Sequence, residues 1–216
     1  IQEIDSYQFE DQTAVENTGD WSPSLTHSGW VNGTGAVDGT FWGRTSNKTV
    51  KGWNCGQDGT PSGGTGPNGG VNVSDGTHVT DSSGENYLYS EVTSNRHLYA
   101  FVTRMPGFNF STAMTSTGND LKLKFWVHAF GDGMGDLYVY IDTNASSNHS
   151  TATELAAFES FSGFSGNSSV WQQQTVDLSA YRGVDATHYI YFVTQNGTNF
   201  KSDLAIDGIQ ILEEKS

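Results

Sequence analysis

Residues 125–141, FWVHAFGDGMGDLYVYI, constrain the fold more than any other stretch of this chain. Two runs rich in aromatic and β-branched residues, LKLKFWVHAF and LYVYI, flank a Gly-rich centre at residues 131–136. Such runs favour strands, and the glycines can supply the positive φ angles of a tight connection, so the pattern predicts a β-hairpin. In the first arm Leu121, Leu123, Phe125, Val127 and Ala129 alternate with Lys122, Lys124, Trp126, His128 and Phe130. One face is apolar throughout and the other passes from charged to apolar. That places the strand in mid-sheet, with its second half covered on both sides.

The remainder punctuates short strands with turns. Residues 1–12 lack Gly and Pro and carry Ile1, Ile4, Tyr7 and Phe9, which predicts an extended opening strand. Residues 18–83 are rich in Gly, Asn, Ser and Thr. Short strands are expected there at 25–30 and 36–42, with irregular structure over 55–83. Strand patterns then recur at 86–91, 97–104, 154–161, 171–178, 187–194 and 204–212. No segment sustains apolar spacing at three and four residues, and TELAAFESF is the one weak helical candidate. With 26 Gly, 4 Pro and 12% aromatic residues in 216, the expectation is a single all-β domain over residues 1–216. Its architecture is a two-sheet antiparallel β-sandwich of jelly-roll type.

Charge and composition exclude several classes. A formal net charge of -14 repels phosphate backbones and anionic lipid heads, which argues against nucleic-acid partners. No apolar run is long enough to insert in a membrane. Cys55 stands alone, carries no local signature of a thiol nucleophile, and reads as a buried residue. The chain begins at Ile1 without Met or a signal sequence, the pattern of a processed, mature product. Asn-x-Ser/Thr sequons occur at Asn32, Asn47, Asn72, Asn109, Asn144, Asn148, Asn167 and Asn196. Chance placement of this many Asn, Ser and Thr gives roughly three such sites, so the excess favours a glycosylated, secreted or cell-surface protein.

Four pieces in order then resemble the MAM domain, the extracellular jelly-roll module of meprin, A5 and the receptor phosphatase mu. YQFE at 7–10 is similar to the family's opening signature, and residues 58–91, DGTPSGGTGPNGG through THVT to GENYLYSE, to its Thr-Pro-Ser to Gly-x-Tyr-x-Tyr-x-Glu run. LKFWVHAFGDGMGDLYVYI resembles the core hairpin, and WQQQTVDL and SDLAIDGIQI the closing strands. The family's paired cysteines are absent, Gly208 replaces a usual acidic residue, and residues 29–51 read as an insertion. The resemblance implies adhesion and self-association rather than catalysis. It also places Glu10 with Asp207, joined by Asp11 and Asp203, as hard oxygen ligands suited to a structural Ca²⁺ that pins both chain ends.

Three functions compete on these residues. The first is a glycosylated module that associates with copies of itself, in which the opening strand, with Ile1, Ile4 and Tyr7, is donated to a neighbour's sheet edge to build a head-to-tail surface fibre. The second is a carbohydrate-binding module, in which one or two of Trp21, Trp30, Trp42 and Trp53 stack on glycans while the others fill the core. The third is a glycoside hydrolase using a pair drawn from Glu10, Glu91, Asp136, Asp203 and Asp207. No catalytic motif supports the last, and His128 reads as a hydrogen-bonded core histidine.

Overall fold

The computed structural model describes residues 1–9, 29–41, 44–57, 66–67, 69–74, 77–82, 86–92, 99–111, 119–129, 134–158, 171–195 and 203–215. In chain order the strands are β1 (Gln2–Tyr7), β2 (Val31–Asn32), β3 (Ala36–Phe41), β4 (Arg44–Lys51), β5 (Asn54–Gly56), β6 (Gly70–Ser74), β7 (Thr77–Ser82) and β8 (Tyr87–Ser90). They continue with β9 (Tyr99–Arg104), β10 (Phe108–Asn109), β11 (Asn119–Ala129), β12 (Asp136–Asp142), β13 (Thr153–Phe158), β14 (Gln172–Asp177), β15 (Thr187–Gln195) and β16 (Leu204–Lys215). A 3-10 turn at Ser179–Tyr181 is the only helical element among the described residues.

The strands form two large sheets and a two-stranded β6–β7 ribbon. The first runs β14-β11-β16-β8-β5, with β1 also paired to β16, and the second runs β13-β12-β15-β9-β4-β3, with β10 on β15 and β2 on β9. Pairing is antiparallel except between β4 and β9. The all-β sandwich predicted from alternation is therefore the fold. The helical alternative for TELAAF gives way to strand β13, and residues 55–83, expected to be irregular, contain the β6–β7 ribbon. Residues 44–51, part of the supposed insertion, are β4.

The predicted hairpin does not form. β11 hydrogen-bonds to β14 and β16 in one sheet, whereas β12 hydrogen-bonds to β13 and β15 in the other. The two arms meet face to face across the core instead of edge to edge. Leu121, Leu123, Phe125, Val127 and Ala129 share one apolar cluster with Leu137, Val139 and Ile141. The physical reason lies in their apolarity on both faces: each strand is stabilised by two lateral partners and by a layer above it. The residues between β11 and β12 are enough to bridge the roughly 10 Å between packed sheets. Phe125 packs edge-on against Phe192 at 5.1 Å and Phe158 at 5.8 Å between centroids, tying the two layers together.

The expected cover over the second half of β11 is the β6–β7 ribbon. Trp126 joins Val71, Val73, Tyr87, Tyr89 and Trp171 in a separate cluster on the outer face of the first sheet. Gly208 makes the close approach possible. Between Lys124 and Trp126 the β11–β16 register slips by a bulge, Gly208 adopts φ +54°, and an added Cβ would lie 2.5 Å from a Val73 methyl. Only glycine meets both demands. At the charged end of β11, Lys122 and Lys124 bracket Glu214 on the open part of that face.

Candidate functional site

The feature most suited to contact another molecule is the edge formed by β1 on β16. β16 pairs along one side with β11 over its whole length. On the other side β8 takes residues 204–206, and β1 takes residues 209–213 in the register Gln2↔Glu213 to Tyr7↔Ile209. β1 has no strand neighbour on its outer side among the described residues. Ile1 is 80% exposed, and Ile4 and Tyr7 are partly buried against the main core. Beyond the backbone ladder, Gln210 donates to the Glu3 carboxylate, and the Tyr7 hydroxyl donates to Asp5 Oδ2 at 2.7 Å. Burial and that carboxylate push the phenol's pKa well up.

The chain is anchored immediately after β1. The Gln8 amide donates to Val73 O at 2.8 Å and accepts from Val73 N at 3.1 Å, so it caps β6 like an extra strand residue. Phe9, buried and left-handed at φ 58°, packs on Trp30 at 5.0 Å, and its carbonyl accepts from Asn86 Nδ2. A left-handed non-glycine residue costs roughly 1–2 kcal/mol, offset here by burial against Trp30. Nothing in the sequence singles out Gln8 as a bridge to a strand 65 residues away.

Two of the proposed stacking residues are core. Trp30 lies between Phe9 and Phe192, and Trp53 is 0% exposed, so neither can offer a face to a sugar. Local aromatic content in a Gly-rich stretch could not distinguish a platform from a packing residue. Trp21 and Trp42 lie outside the described residues.

Two of the candidate carboxylates bond backbone amides. Asp207 Oδ2 accepts from Val71 N at 2.6 Å and its Oδ1 from Gly208 N at 2.7 Å, while Asp203 Oδ1 accepts from Val92 N at 2.7 Å. Both side chains are buried; Asp207 ties β16 to β6, and Asp203, just before β16, bonds Val92, just past β8. Among the described residues no three His, Cys, Asp or Glu side chains converge as a metal site. Glu10 and Asp11 lie outside the described residues. Gln8 and Asp207 nevertheless dock two residues apart on β6, which brings the end of β1 toward Asp207. Of the proposed hydrolase carboxylates, Glu91 and Asp136 are also buried.

His128 is buried beside Trp171, 5.6 Å between ring centroids, and desolvation pulls its pKa down to about 4. Contrary to the sequence reading, its Nδ1 has no hydrogen-bond partner among the described residues. An open cleft of about 180 Å³, which no motif signals, is lined by Ile141, Asp142, Thr143, Thr151, Tyr181 and His188 among others. There Asp142 accepts from Thr151 Oγ1 at 2.6 Å and Asn144 N at 3.0 Å, bonds that outweigh its desolvation and lower its pKa.

The model of the MAM domain, meprin/A5/mu, matches residues 9–215. The chain belongs to the MAM domain family. β1 precedes the matched residues of this MAM domain. Among solved structures the chain is similar to the K2 cleaved adhesin domain of Lys-gingipain, with 18% identity, TM-score 0.51, and coverage of 96% of this chain and 98% of that one. It is also similar to the K3 cleaved adhesin domain of the same protein from Porphyromonas gingivalis, with 15% identity, TM-score 0.50, and coverage of 98% and 99%. The CBM22-1 xylan-binding domain from Paenibacillus barcinonensis aligns at 10% identity and TM-score 0.47, covering 100% of this chain and 96% of that one. At these identities the two adhesin domains bear on the fold alone.

Proposed function

We propose that this MAM domain is a non-catalytic extracellular module that associates with copies of itself, each molecule laying its β1 beside residues 209–213 of the next to build a surface fibre. MAM domains are extracellular or surface modules without catalytic activity of their own. The observation that carries the finer reading is the position of β1. It is an edge strand, exposed or partly buried along its length, held by a backbone ladder and two apolar anchors. The same ladder and the same two anchors can form with a neighbour's β16, so exchange loses little, and a head-to-tail exchange whose rotation does not close a ring builds an open fibre. Deleting residues 1–7 leaves the Gln8 and Phe9 anchors intact. The truncated protein is expected to stay folded and monomeric, and electron microscopy finding unchanged fibres would refute strand donation.

A structural Ca²⁺ held by Glu10, Asp11, Asp203 and Asp207 belongs to this reading, supported by the shared docking of Gln8 and Asp207 on β6. Chelation should then lower the melting temperature, with Ca²⁺ restoring it and Mg²⁺ not. Glycan binding is the second reading, favoured by the cleft that sets Tyr181 beside Asp142 and His188. It requires glycan-array binding that disappears on Tyr181→Ala.

A further inference from the structure

Sequons identical in pattern occupy very different surroundings. Asn148 is buried, its Nδ2 donates to Thr34 O at 3.1 Å, and its Oδ1 accepts from Ser150 N at 3.0 Å. The backbone beside it bonds the same segment, Thr34 N to Ser147 O at 2.8 Å, so this amide holds the 142–152 loop against the chain before β3. Asn32 is likewise committed: its Nδ2 donates to Trp53 O at 2.9 Å and its Oδ1 accepts from Trp53 N at 2.8 Å, with Gly52 pressed against its side chain. Asn144, in the same loop as Asn148, is exposed. Its backbone is fixed from beneath, since the Tyr191 hydroxyl donates to Asn144 O at 3.0 Å and accepts from Ser146 N at 3.0 Å. The bond from Asn144 N to Asp142 closes a tight turn, with the Asn144 side chain at its surface.

We propose that Asn144 is a glycan attachment site of the folded protein and that Asn148 and Asn32 are bare. This rests on the extracellular reading and is independent of strand donation. In the transfer, Asn144 Nδ2 bonds to the anomeric carbon of a lipid-phosphate-linked oligosaccharide. The bond from that carbon to the phosphate oxygen breaks, the electron pair leaves on the lipid phosphate, and one amide proton passes to the transferase. A sugar on Asn148 would have to leave the interior, breaking its bond to Thr34 and lifting the loop. Asn144 lies just past β12 of the second sheet, whereas β1 belongs to the first.

The test is site mapping on the full-length secreted chain. Enzymatic release of N-glycans in heavy-oxygen water converts each occupied Asn to labelled Asp, located by fragmentation mass spectrometry. Label is expected at 144 and none at 148 or 32. Asn144→Gln should remove one glycan without lowering the melting temperature, whereas Asn148→Gln should keep the glycans and lower it. Label at 148 or 32, or none at 144, overturns the assignment, while fibre formation by the same material reports separately on strand donation.

Discussion

β1 and β16 share a ladder yet differ in almost everything else. β16 is buried from Leu204 to Leu212, with neighbours on both sides and layers above and below for much of that length. β1 has one neighbour, an exposed start and two partly buried apolar side chains. Hydrogen bonding alone therefore does not decide which strand belongs irrevocably to the sandwich. Burial on both faces does, because backbone bonds exchange nearly evenly with water while apolar surface does not.

The largest test removes an inter-layer tie. Phe125→Ala, which deletes a fully buried ring beside Phe158 and Phe192, should cost about 3–5 kcal/mol in urea unfolding. A loss below 1 kcal/mol would mean the buried centre is no more committed than the edge. Acid should strike two buried rings outside that core, His128 beside Trp171 on the outer face of the first sheet and His149 beside Tyr140 in the 142–152 loop. Burial depresses His128 and His149 from 6.5 to about 4, so the folded state resists protons that the unfolded state accepts. Stability is then full above pH 6.5 and falls as pH drops toward 4, by up to about 3 kcal/mol for each ring. His128→Gln should remove roughly half of that loss. A pH-independent unfolding midpoint between 7 and 4.5 would contradict the burial. The smallest effect belongs to the edge: Ile4→Ala should cost about 1 kcal/mol of global stability while markedly reducing fibre yield. If it instead costs as much as Phe125→Ala, β1 is core and not exchangeable.

Strand identity was legible because alternation and apolar runs report local burial. Partner choice was not. A Gly-rich link between two doubly apolar strands serves a tight turn or a crossing between layers equally well, and only the strands at 172–177 and 204–215, which claim both edges of β11, decide it. The same blindness to distance hid the site chemistry. Asp207 finds its amide 136 residues away on β6, and Asp203 finds its own 111 residues away. Asn144 and Asn148 carry the same signature, yet packing on Thr34 separates them. Lys122 and Lys124 were readable as a charged face, since their spacing alone sets them beside each other.

The placement of β11 and β12 in opposite layers also governs how the molecule can be assembled. These neighbours in sequence cannot zip together as a local nucleus, and β11 must wait for segments some fifty to ninety positions later before its ladder exists. Such distant pairing makes for slow folding, and during synthesis it leaves the most water-averse stretch of the chain unclaimed until the last strands emerge.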